Sequence, residues 1–140
     1  MQSLTFCILT VCCFAWVSTT SKDTQRRKLQ QLRAELITFQ KTLKDKEKNV
    51  ITPPKNIEGC CCLSAFKCFR DNLKAEFNIT NKLSRGLTSN ITMKALDLCE
   101  TGNNATMCEV CVSHSKERAE EFFSRLDTLI QRGIARLSMK

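Results

Sequence analysis

Seven cysteines stand between positions 60 and 111, and four of them crowd into the ten residues "CCCLSAFKCF" from Cys60 to Phe69. No other feature limits the possible folds as strongly. A cysteine can be a metal ligand, a redox group or half of a disulfide, and the compartment decides which is open. The question therefore moves to the N-terminus. Residues 1–20, "MQSLTFCILTVCCFAWVSTT", carry no charged side chain. Leu4 to Val17 is a mostly apolar run, followed by small polar residues at Ser18 to Ser21. That is the plan of a secretory signal peptide, although the start lacks the usual Lys or Arg. The run falls short of the roughly 20 residues of a membrane span. Residues 1–20 are thus expected to be a signal peptide that takes Cys7, Cys12 and Cys13 with it. Residues 21–140 are expected to be one secreted, extracellular domain with no membrane insertion. Three Asn-x-Ser/Thr sequons, at Asn78, Asn90 and Asn104, fit that route as glycosylation sites.

The formal net charge is +8, and every charged residue lies after position 20. Such a surface favours acidic partners such as receptor loops or heparan-type glycans. No basic run is interleaved with aromatics, so nucleic acid is not an expected partner. An enzyme is the least expected reading. There is one histidine, His114, with no Gly-rich phosphate loop and no Ser/His/Asp set. His114, between two serines, reads as a surface loop residue.

Apolar spacing predicts four helices and no strands. Residues 24–47 repeat Leu29, Leu32, Leu36, Phe39 and Leu43 at three- and four-residue steps, with Asp23 available as a cap. Pro53, Pro54 and Gly59 then mark about a dozen extended residues. A second helix is expected from about Cys61 to Phe77, with Phe66, Phe69 and Leu73 inward. A third spans roughly Ile79 to Leu98, with Leu83, Leu87 and Ile91 inward. Gly86 costs that helix about 1 kcal/mol. "CETGNNATMCEVC" reads as a loop. The last helix carries Ala119, Phe122, Leu126, Leu129, Ile130 and Leu137 on one stripe, with Ser115 as cap and Glu117 to Glu121 in its first turns. Long first and third connections permit an up-up-down-down bundle rather than simple up-down order.

In an oxidising compartment the seven later cysteines read first as disulfides. Cys108-x-x-Cys111 with Cys61, Cys68 and His114 could be drawn as a zinc site, but the paired C-x-x-C of a ribbon is missing. A redox C-x-x-C needs a strand–helix setting that an all-α chain lacks. No metal and no cofactor is therefore expected. Cys61 and Cys68 stand two helical turns apart, so they share one side of the second helix. Cys108 and Cys111 can address that side from the third connection. A closed loop of nearly fifty residues contributes about 4 kcal/mol in the chain-entropy model.

Particular strings then resemble a family. "CCLSAFKCF" (Cys61 to Phe69) resembles the second-helix motif of the interleukin-21 branch of the interleukin-2/15/21 short-chain four-helix cytokines. "NITMKAL" (Asn90 to Leu96) is similar to the third-helix sequon segment of that branch. "CEVCVSHSKERAEEFFSRLDTLIQRGIARLS" (Cys108 to Ser138) is similar to its C-terminal block. The Cys-x-x-Cys and late glutamine also suit the interleukin-15 and interleukin-2 branches. The likeness covers about fifty residues well and the rest loosely.

That resemblance implies an all-α, up-up-down-down four-helix cytokine bundle with two long crossover loops. It also implies the pairs Cys61–Cys108 and Cys68–Cys111. Cys60, Cys62 and Cys99 depart from the pattern. They leave the first bridge open by one residue, and Cys99 can join Cys60 or Cys62. The implied function is a secreted, monomeric ligand that brings two receptor chains together, with receptor-bound kinases signalling inside the cell (JAK–STAT). An interleukin-21 receptor-like chain would contact the first and third helices, and the common gamma chain the first and fourth. Candidate contacts are Arg26, Arg27, Lys28 and Arg33 on the first helix, Lys94 on the third and Gln131 on the fourth. The alternative from another class is a cationic host-defence or glycan-binding protein. Glu117, Glu120 and Glu121 among the bases of the last helix argue against the membrane-disrupting form of it.

The secreted protein should begin within a few residues of Ser21 and carry N-glycan on Asn90. N-terminal sequencing and glycosidase mass shifts test this, and an intact Met1 with no mass shift would end the secretion argument.

Overall fold

The computed structural model describes residues 2–44, 46–99 and 107–138, with side chains from Lys22 onward. The chain is mostly helical. The described elements are α1 (Gln2–Thr42), β1 (Asn49–Ile51), α2 (Cys62–Glu76), α3 (Asn81–Thr88), α4 (Asn90–Ala95), β2 (Lys116–Arg118) and α5 (Ala119–Ser138). Single 3-10 turns at Gly59–Cys61 and Cys111–Ser113 precede α2 and β2. Among the described residues no helix is long and apolar enough to cross a membrane.

One core joins the elements. α1 packs against α3, α4 and α5, while α2 packs against α5 and β1. Leu29, Leu32 and Leu36 of α1, Phe66, Phe69 and Leu73 of α2, and Phe122, Leu126 and Ile130 of α5 are buried together. Those are the apolar stripes of the sequence. Phe39 and Leu43 are only partly covered. An aromatic cluster knits the ends of α1 and α2 to the start of α5: Phe69 and Phe122 rings are 5.3 Å apart, and Phe77 and Phe123 rings 5.5 Å. Such pairs add about 0.5–1.5 kcal/mol each beyond their burial.

Four expectations need correction. α1 does not begin at an Asp23 cap: it runs through that position, and Asp23 instead accepts from Arg26 Nη2 at 2.9 Å. It also stops at Thr42, before the polar stretch 44–48, which has no apolar stripe to bury. Second, the chain has strands. β1 and β2 pair antiparallel, with Val50 opposite Glu117, and Thr52 N donates to Ser115 O at 2.8 Å. Three-residue strands show no periodicity, and their partners lie far apart in sequence. Third, the last helix starts at Ala119, not Ser115. Glu117 sits in β2, and the Ser115 hydroxyl donates to its carboxylate at 3.2 Å.

The fourth correction concerns the third helix, which is two. Ser89 is extended and ends α3, and its hydroxyl accepts from Ile91 N to start α4. The cause is local: Thr88, Ser89, Asn90 and Thr92 all offer side chains that compete with helical backbone bonds. Thr92, fully buried, donates to Gly86 O at 2.8 Å across the break. The break resets the helix face. Ile91 is 38% exposed, while Thr92, Ala95 and Leu96 turn inward.

Gly133 lets α5 come close to its neighbours. A Cβ there would lie 2.9 Å from Leu29 Cδ1 and 2.9 Å from Leu96 Cδ2. Both leucines are fully buried and cannot swing away. Gly133→Ala should therefore destabilise by about 1–3 kcal/mol despite alanine's better helix propensity. Denaturant unfolding checks the sign; a more stable variant would show a looser junction.

Candidate functional site

Two helical surfaces and one disulfide-bound end hold the residues singled out by sequence. The first surface is the seam between α1 and α5. Arg33 Nε donates to Asp127 Oδ1 at 2.7 Å, and its Nη2 reaches Oδ2 at 3.4 Å. Gln131 Nε2 donates to the same Oδ2 at 2.7 Å. One carboxylate thus ties two candidate contacts from different helices into a single polar unit. Beside it, Gln30, Arg33, Gln131, Ile134 and Ala135 line an open hollow of about 370 Å³. Gln131 stays exposed, and its amide oxygen accepts no bond among the described residues. Asp127 went unnoticed in the sequence. Its signal was the four-residue step to Gln131, which stacks two side chains on one helix face.

The second surface lies between α1 and α3. Lys28, Gln31 and Glu35 of α1 face Lys82, Arg85 and Gly86 of α3 across an open trough of about 260 Å³. Of the other candidates, Arg26 is half-buried and tied to Asp23, while Arg27 and Lys94 are exposed. Arg33, placed with these bases by sequence, belongs to the α1/α5 seam instead. Lys82 and Arg85 were not singled out, because isolated bases between the apolar positions of a helix look like an ordinary solvated face. Among the sequons, Asn78 and Asn90 are exposed, and Asn104 lies outside the described residues. The threonines of both described sequons also have structural work. Thr80 caps α3 by accepting from Leu83 N, and Thr92 bridges the α3–α4 break.

The third region is the start of α2. Cys60 is bonded to Cys99, Cys61 to Cys108 and Cys68 to Cys111. Their sulfurs present no thiolate to a metal. Cys62 keeps a free thiol, fully buried, with its Sγ 3.6 Å from Glu58 O. Burial pushes its pKa up, against a smaller opposite pull from Arg132.

No family model matches the chain.

His114 is not the surface residue expected from its loop. Its side chain is 9% exposed, and Nδ1 lies 3.3 Å from Glu109 Oε2. It helps to line a pocket of about 220 Å³ with Pro53, Ile57, Ala65 and Met107. Three arginines of α5 reach backbone carbonyls of the long connections: Arg125 donates to Pro53 O at 3.2 Å, Arg132 to Ile57 O at 2.8 Å, and Arg136 to Asp97 O. Arg125 also hydrogen-bonds Glu121 and holds that carboxyl below its ordinary range.

The state of Cys62 is directly testable. In the folded protein at pH 8 its thiol should resist iodoacetamide, because burial disfavours the reactive thiolate. In denaturant without reductant a protein of residues 21–140, which lacks Cys7, Cys12 and Cys13, should react once per chain. Rapid labelling of the native protein would contradict the buried placement.

Proposed function

We propose that the chain is a secreted cytokine that brings two receptor chains together, similar to the interleukin-21 branch. The helices form an up-up-down-down bundle in which α3 and α4 together serve as the third helix. Three disulfides in a chain of this size fit an oxidising, extracellular setting. No catalysis is required. The common gamma chain docks on the α1/α5 seam, and an interleukin-21 receptor-like chain docks on the α1 and α3–α4 side, where Arg27 and Lys94 are exposed.

The observation that carries this reading is the Arg33–Asp127–Gln131 unit. A receptor contact must be ordered before binding if it is not to lose affinity to side-chain entropy. Asp127 fixes Arg33 and Gln131 from two helices at once and leaves Gln131's carbonyl oxygen for a partner's donor.

Gln131→Ala is the informative variant. A negative charge at position 131 would repel Asp127 and disturb Arg33, whereas alanine leaves that pair intact. Binding to the common gamma chain ectodomain should weaken at least about tenfold, as at an interface hot spot. Binding to the interleukin-21 receptor ectodomain and the circular dichroism spectrum should be unchanged. Unaltered gamma-chain affinity would reject the seam as the docking site. Absence of binding by the wild-type protein to either ectodomain would reject the cytokine reading.

A further inference from the structure

The trough between α1 and α3 has a chemistry unlike the α1/α5 seam. Lys28, Lys82 and Arg85 converge on it, with one opposing carboxylate, Glu35, whose Oε1 lies 3.7 Å from Lys82 Nζ. The Lys82 side chain is 75% exposed, so its ammonium remains open to solvent. The trough's apolar lining residue, Leu32, is 1% exposed. Gly86 leaves part of the floor as bare backbone, 3.3 Å from Leu32 Cδ1 by the position a Cβ would take.

We propose that this trough binds a sulfated polysaccharide of the glycosaminoglycan class, with its sulfate and carboxylate groups along Lys28, Lys82 and Arg85. Protein partners gain most of their affinity from desolvated aromatic or aliphatic anchors seated in pockets. The trough exposes none, and Arg27 and Lys94, the residues assigned to the receptor-like chain, do not line it. Mobile, solvated bases contribute little one at a time. Against a line of closely spaced negative charges they act together, because each contact releases counterions held by the polyanion. The chain's net charge of +8 draws such a ligand in from a distance. Glu35 sets the limit on affinity, since it holds one base and repels the ligand. The site does not depend on the receptor reading, and glycan binding can be measured with no receptor present.

The test is binding of the intact secreted domain to heparin in solution at about 0.15 M salt, with circular dichroism as a check on folding. Lys82→Glu with Arg85→Glu should weaken binding about tenfold and flatten its salt dependence. Lys67→Glu with Lys74→Glu makes the same charge change at exposed positions of α2 and should have little effect. Glu35→Gln should tighten binding, while Glu120→Gln, exposed on α5, should leave it unchanged. Equal losses from the two double variants would overturn the proposal in favour of diffuse charge attraction. Competition by polyglutamate as effective as that by heparin would overturn it in favour of an acidic protein segment. Heparin binding no tighter than that of inorganic sulfate would also overturn it.

Discussion

The fold hangs on the three disulfides that leave the start of α2. Cys60, Cys61 and Cys68 lie within nine residues, and they reach Cys99, Cys108 and Cys111. Each closes a loop whose freedom in the unfolded chain would cost about 4 kcal/mol, although the three loops overlap and share much of that entropy. For a chain of 140 residues this is comparable with the whole net stability. The bridges bring the long connection before β2 against α2. From there the chain can reach β1, pair with it, and enter α5 in register with the core.

The α1/α5 seam depends on that placement. α5 packs on α1 along the stripe of Leu126, Leu129 and Ile130, which leaves Asp127 and Gln131 at the edge of the core. Arg33 meets Asp127 there with two donors, a geometry that lysine could not copy. Both partners are about one-third exposed, so the pair adds little to stability. Its value is orientation: it ties polar side chains of two helices together beside an open hollow.

The helical stripes were legible because core residues repeat at helical spacing. Leu29, Leu32, Phe66, Phe69, Leu87 and Phe122 all turn inward as the pattern requires. The features that escaped were those without a period. β1 and β2 are too short to alternate, and their pairing depends on where the disulfides and α5 bring the chain. The α3–α4 break was written in "TSN", yet Leu83, Leu87 and Ile91 kept a helical rhythm across it, and that rhythm masked the capping signal at Ser89. Arg33 and Gln131 could be named one by one from the sequence. Their union could not, since it needs Asp127 and the packing of two helices distant in the chain. His114 was misjudged because loop position says nothing about what folds over it.

The arginines of α5 carry a consequence for how the chain can change. Arg125, Arg132 and Arg136 grip Pro53, Ile57 and Asp97 by their carbonyl oxygens and not by their side chains. Every amino acid supplies that oxygen. At these three points the path of the chain is therefore set by the helix, while the identity of the residue there is left largely open. Relatives of this chain that keep the bridged cysteines could diverge at Pro53, Ile57 and Asp97 and still meet the same three guanidinium groups. An engineer could likewise write new recognition sequences there without redesigning the core.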